Sequence, residues 1–199
     1  TLHPNILHLN TTRIVKMDPT DPFAVSKAEI LVREQVVEMV NFLKSLPDCG
    51  MVNAYLLSTA MEIGVRESRK VVCEHMLTED ELKACTVFED SIATGNYDID
   101  IHNPEGSGTS HYYFPDGAYY TIPYSSFLPK ELDNLLVAGR CLSATHEAQA
   151  SVRIMPICAT MGQAAGTAVA VAKQTGSNVH DVDVTKVQAL LRKNGAAID

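Results

Sequence analysis

Residues 134–172 run NLLVAGRCLSATHEAQASVRIMPICATMGQAAGTAVAVA, and that order leaves few folds open. Asn134 to Ala138 is a short apolar run ending at Gly139, the pattern of a buried parallel strand. A glycine turn and a polar loop follow. A helix from about Pro156 to Lys173 comes next, and its first turn is free of carboxylates. Pro156 stands where proline loses nothing, because a first-turn N–H has no intrahelical acceptor. Such a helix end, with unpaired N–H groups and a partial positive charge, suits an anion. Arg153, just before it, adds a full positive charge. Ala159, Gly162, Ala165 and Gly166 would let the helix approach a backbone or a ligand closely. Spacing alone also allows a plain core helix packed after a strand.

The same helix imitates a membrane span. Nineteen residues between Arg153 and Lys173 carry no charge, about the length a bilayer needs. Pro156, Thr160, Gly162, Gln163, Gly166 and Thr167 interrupt them, and alanine is the commonest of the apolar residues. The expectation is a buried helix and no membrane partner.

Upstream, residues 12–17 (TRIVKM) read as a strand before the turn-rich DPTDP. Asp21 can cap a helix with Pro22 at its first position. That helix runs from about Ala24 to Leu46, with Val36, Met39, Val40, Leu43 and Leu46 at three- and four-residue steps, and Pro47 stops it. Residues 51–61 and GVRESRKVVCEHML are further strand candidates. Alternation in the second would put Arg66 and Ser68 on one face, Glu67 and Arg69 on the other. Such a patch could face a ligand or be a solvated, salt-bridged face.

Thr78 with Glu81 forms a capping-box pattern that opens a short helix. Residues 86–125 read as irregular and β-rich. There His111, Tyr112, Tyr113, Tyr119, Tyr120 and Tyr124 could line a polar pocket or form a core with wet edges. A final amphipathic helix spans about Asp183 to Lys193, with Gly195 beyond its end. The division that follows is an α+β part to residue 130 and a strand–loop–helix part over 131–199.

Composition removes several functions. With a formal net charge of −8 and no basic run, the chain is unsuited to nucleic acid. Seven scattered histidines offer no HExxH spacing, so no metal is expected. Five cysteines, odd in number and without a CxxC pair, suggest no disulfide framework. They favour a reducing compartment such as the cytoplasm, although any targeting signal would lie upstream of Thr1.

Taken whole, LLVAGRCLSATHEAQASVRIMPICATMGQAAGTAVA resembles the C-terminal flavin-binding element of the FAD-dependent oxidoreductases, distantly similar to the fumarate reductase and succinate dehydrogenase flavoproteins. IGVRESRKVVCEHMLTEDEL, the long helix after DPTDP and IPYSSFLPKELDNLLVAG are similar too, so the resemblance covers nearly the whole chain. It implies FAD as cofactor and a small-molecule substrate, with two electrons or a hydride passing between them. It also implies a substrate-side α+β domain joined to the closing strand and helix of a Rossmann-like FAD domain.

An N-terminal dinucleotide-binding part of the same protein would hold the ADP half. The eleven glycines here form no GxGxxG; Gly106 and Gly108 are followed by His111. A fragment of this kind is expected to be inactive alone. The alternative is a non-catalytic binding or scaffold domain that kept the fold.

The resemblance places Gly139 and Arg140 beside the cofactor, with Arg153, Met155, Pro156 and Ile157 facing its isoalloxazine. Arg153 would meet charge developing at the ring. His146, with Glu147 in the loop before the helix, lies on the substrate side, where histidine could act as acid or base. It could equally be a loop histidine bonded to backbone. Cys141, with nothing to pair with, has no redox role.

Overall fold

The computed structural model describes residues 3–102 and 108–198. Gly106, cited above for its spacing, lies outside them. Contacts divide the chain into two compact units, Thr1–Val65 and Arg66–Asp199.

The first unit is built on α1 (Pro22–Lys44). Asp21 caps it, its side chain accepting from the Phe23 N–H at 2.9 Å, and Pro22 takes the first turn as expected. Ala28 is the buried residue of the helix. Val36, Met39, Val40, Leu43 and Leu46 are half-buried, whereas Val37 and Phe42 are exposed, so the apolar stripe was placed correctly.

Residues 12–17 form no strand. The Gln35 side-chain amide takes the place of a strand partner, accepting from the Arg13 N–H at 3.0 Å and donating to the Arg13 carbonyl at 3.1 Å. Residues 51–61 are also not a strand. Arg33 Nη2 donates to the carbonyls of Ala60 and Met61, both at 3.2 Å, so a side chain again holds the backbone.

In the second unit, α2 (Glu79–Lys83) opens on the expected capping box between Thr78 and Glu81. The β-rich stretch forms two antiparallel pairs. β1 (Ser91–Gly95) pairs with β4 (Tyr120–Pro123), and β2 (Ile99–His102) with β3 (Thr109–Tyr112). A bulge at Ile92 shifts the β1 register between Ser91 and Ala93. All of β4 is buried. Its threonine is satisfied: Thr121 Oγ1 accepts from the Phe88 N–H at 3.0 Å and donates to the Thr86 carbonyl at 3.1 Å.

Tyr120 and Tyr124 belong to the core, while Tyr113 and Tyr119 are exposed. The core reading given for this aromatic group thus holds for Tyr120 and Tyr124.

Three helices complete the unit: α3 (His146–Val152), α4 (Met155–Thr175) and α5 (Val184–Lys193). The core joins Ile92, Tyr120, Ile122, Phe127 and Leu142 to the buried face of α4, Ile157, Met161, Ala164 and Ala168. Burying the isoleucine, leucine, phenylalanine and methionine side chains among them contributes roughly 1.5–3 kcal/mol each. By length and composition α4 could cross a bilayer, yet this face is covered by its own unit. Asp183 caps α5, and Gly195 follows it at φ +81°. Mixed helix and small antiparallel sheet make the chain α+β.

Three sequence expectations fail in this unit. Residues 134–138 form no strand. A parallel strand needs a neighbouring ladder, and among the described residues this extended run has one backbone cross-link to another segment, the Val137 N–H to the Phe127 carbonyl at 3.0 Å. Residues 64–77 also form no regular strand. They make two isolated bridges, Cys73 with Pro129 and Leu77 with Ala144, threading between two loops. The polar loop before α4 contains a helix, α3, with Thr145 as its cap.

Candidate functional site

The α3–α4 corner gathers the residues singled out in the sequence. Gly139 opens a tight 3-10 turn, Gly139–Cys141, with φ +83°, a backbone region an L side chain rarely adopts. This turn lies against α3 and α4. Gln149, fully buried in α3, ties the two together by donating from Nε2 to the Arg140 carbonyl at 2.8 Å. Its Oε1 has no partner among the described residues. The Arg140 side chain is exposed.

His146 is the first residue of α3 and its imidazole is 58% exposed. It bonds a carboxylate, not backbone: Nδ1 lies 2.5 Å from Glu67 Oε2. The other oxygen of Glu67 accepts from Lys70 Nζ at 2.7 Å.

Arg153 is the C-cap of α3. Its guanidinium is directed at Asp100 of β2, with Nη2 3.3 Å from Oδ2 and 3.4 Å from the Asp100 carbonyl. Arg66 reaches the same carboxylate, Nη1 lying 3.6 Å from Oδ2, and His111 Nε2 is 3.5 Å from Oδ1. Two guanidinium groups around one carboxylate leave the group net positive with His111 neutral. Burial, then the repulsion of Arg66, hold the Arg153 guanidinium below its usual pKa, and Asp100 opposes them.

The strand alternation proposed for Arg66 and Glu67 is absent, yet the two side chains do part company. One goes to the Asp100 group and the other to His146. Sequence reading missed Asp100 and Glu67 as partners, because 53 and 79 residues separate them from Arg153 and His146.

α4 begins without a side-chain cap at Ile154 and without an acid in its first turn. The Cys158 N–H already bonds the Ile154 carbonyl at 2.9 Å, so the amides of Met155 and Ile157 are the first-turn donors without an intrahelical acceptor. The Met155 side chain is 86% exposed, Pro156 is exposed, and Ile157 sends its side chain into the core. The middle of α3 is held by a buried chain of hydroxyls. Tyr120 Oη and Ser151 Oγ are 2.6 Å apart, and Ser151 Oγ also donates to the Tyr97 carbonyl.

A family model described as FAD dependent oxidoreductase matches residues 2–191. No curated protein and no solved structure matches the chain. The cofactor of that family can be tested against the corner itself. A Cβ added at Gly139, Gly162 or Gly166 would meet no heavy atom within 4 Å. The small-residue face of α4 and the Gly139 turn are therefore open, and a flat ring or a backbone could approach either. Uncapped amides, no first-turn acid and a net positive neighbour suit an electron-rich group. The residues present fit a flavin.

Proposed function

Because this chain belongs to the FAD-dependent oxidoreductase family, we propose that it supplies the substrate side and the cofactor-closing element of a complete flavoenzyme. FAD, when bound, supplies the acceptor or donor of a hydride or an electron pair. A further N-terminal part of the protein would hold the ADP half through the dinucleotide fingerprint that these 199 residues do not contain. On this reading residues 1–130 face the substrate and 131–199 carry the strand-like run, turn and helix that close a Rossmann-like domain.

Gly139, Arg140, Arg153, Met155, Pro156 and Ile157 would hold the flavin, the last through its backbone amide. His146 and Arg153 would meet a small molecule, and a hydroxylated substrate suits an exposed imidazole that can take a proton.

One observation carries this reading. The α3–α4 corner joins an uncapped, acid-free helix start to the net positive Arg66–Asp100–Arg153 group. Donors and charges fixed in place need no reorganisation when negative charge appears nearby.

The test is a redox titration of the full-length holoprotein. Arg153→Ala removes one of the two guanidinium groups and leaves Asp100 to Arg66, so the midpoint potential falls. For a two-electron couple about 30 mV corresponds to roughly 1.4 kcal/mol, and a fall of some tens of millivolts is expected. Arg153→Lys restores part of it, returning charge without the planar fork. Asp100→Asn moves the potential the opposite way, a change of sign that general loosening of the fold would not give. Potentials equal within error in all four proteins would remove the electrostatic role.

A further inference from the structure

The contact between Glu67 and His146 has the layout of an orienting pair. A carboxylate only accepts hydrogen bonds, so a ring nitrogen 2.5 Å from Glu67 Oε2 must carry the proton of that bond. The nitrogen is Nδ1. In the neutral ring Nε2 is then a bare lone pair, since the bond made by one nitrogen sets the state of the other. Glu67 is itself fixed, because Lys70 holds its second oxygen at 2.7 Å and only about a quarter of either side chain is exposed. His146 is held at its backbone too: it follows the cap Thr145, whose N–H donates to the Leu77 carbonyl at 2.9 Å.

We propose that Glu67 is a positioning residue that fixes His146 as the Nδ1–H tautomer and so leaves Nε2 to take a proton from the substrate. This rests on the reading of His146 as the acid–base group given above. For a substrate carrying H–C–O–H, the hydroxyl proton passes to Nε2 as the carbon gives up a hydride to the family's flavin. The C–O bond becomes C=O, and two electrons and one hydrogen leave with the hydride. The imidazolium then returns its proton to solvent, to which more than half of the ring is exposed. Run backwards, the same groups protonate the oxygen of a carbonyl undergoing reduction. Arg66, next to Glu67, goes to Asp100 instead, so this short segment serves both ends of α3.

The experiment uses the full-length holoprotein with 15N-labelled histidine. Long-range 1H–15N correlation is recorded where the ring nitrogens report a neutral imidazole, and the His146 signals are assigned by their loss in His146→Gln. The expected wild-type pattern is pyrrole-like Nδ1 with pyridine-like Nε2. Glu67→Ala should invert it and lower kcat by between about tenfold and about 10⁴-fold, the upper figure being the cost of a wrong histidine tautomer in a serine protease.

An Nε2–H tautomer in the wild type, or an unchanged pattern in Glu67→Ala, overturns the proposal. Should Glu67→Ala not fold, the wild-type pattern decides alone. If the tautomer inverts while kcat holds, Glu67 is confirmed as the residue that orients the ring, and the acid–base role of His146 is what falls.

Discussion

Gly95→Ala is a one-carbon change whose effect can be worked from contacts. Gly95 faces Tyr120 across the β1–β4 ladder. A Cβ at Gly95 would lie 2.5 Å from Tyr120 Oη and 2.6 Å from both Cε2 and Cζ. Ordinary carbon contacts begin near 3.5 Å, so the ring would have to move by about 1 Å. Tyr120 is fully buried and its hydroxyl bonds Ser151 Oγ at 2.6 Å. Overpacking of this kind costs about 1–3 kcal/mol. Losing the hydroxyl contact adds about 1 kcal/mol. The expected loss is roughly 2–4 kcal/mol, which for a domain of this size is about 5–15 °C in Tm.

Urea unfolding and calorimetry of the full-length protein measure it, and Tyr120→Leu supplies the second arm of a double-mutant cycle. Without the ring overhead, Gly95→Ala should cost nothing or stabilise, since alanine gives up less backbone entropy than glycine. Because Ser151 lies in α3, Gly95→Ala should also reduce turnover. A wild-type Tm for Gly95→Ala, or the same cost in both backgrounds, would refute the contact argument.

Two further outcomes are expected. The Thr185 hydroxyl, then its N–H and Lys186, hold the Asp183 carboxyl below its usual pKa. A lowered folded-state pKa adds stability above the ordinary carboxylate range and loses it as pH falls through the lowered value. The urea midpoints of wild type and Asp183→Ala should therefore differ at neutral pH and converge in acid, and a gap independent of pH would contradict the cap. Burial pushes the Cys73 thiol up to about 11, whereas Cys49 is exposed. A thiol reagent near pH 8 should modify Cys49 in the native protein and Cys73 only on unfolding, and mass spectrometry after timed quenching tells whether that order holds.

The legible parts of this fold were those written in local chemistry. Asp21 with Pro22, Thr78 with Glu81, and Asp183 with Gly195 are cap signals that act within one turn, and each marked a real helix end. The β-rich stretch did pair into strands, but the strands expected outside it failed, because an apolar run becomes a strand only through a partner that sequence spacing does not reveal. TRIVKM found the Gln35 side chain instead, and NLLVA found one carbonyl. α3 escaped notice as a helix of seven residues whose cap, Thr145, lies in a run of polar letters. Of the candidate site, Gly139, Arg153 and His146 were visible as residue types, but what they touch was not. Asp100 and Glu67 are ordinary acids until the fold sets them against α3.

That last point decides how the corner can be perturbed. A helix of seven residues does not persist on its own propensity, so its position is imposed from outside. The middle of α3 is held by buried contacts: Gln149 to the Arg140 carbonyl and Ser151 to Tyr120 and Tyr97. Its ends are held by carboxylates nearer solvent, Glu67 at the His146 ring and Asp100 at the Arg153 guanidinium. Exposed ion pairs contribute about 0–1 kcal/mol, whereas a buried polar group left unpaired costs about 1–3 kcal/mol. Changes in the middle should move stability and turnover together. Changes at the His146 end, where the ring is more than half exposed, should alter the chemistry and leave Tm nearly unmoved. The Arg153 end falls between, since only 13% of its side chain and of Asp100 is exposed and Arg66 remains to hold the carboxylate. The two functions proposed for α3, proton transfer and electrostatic support, thus sit where they can be separated from the packing that holds the helix.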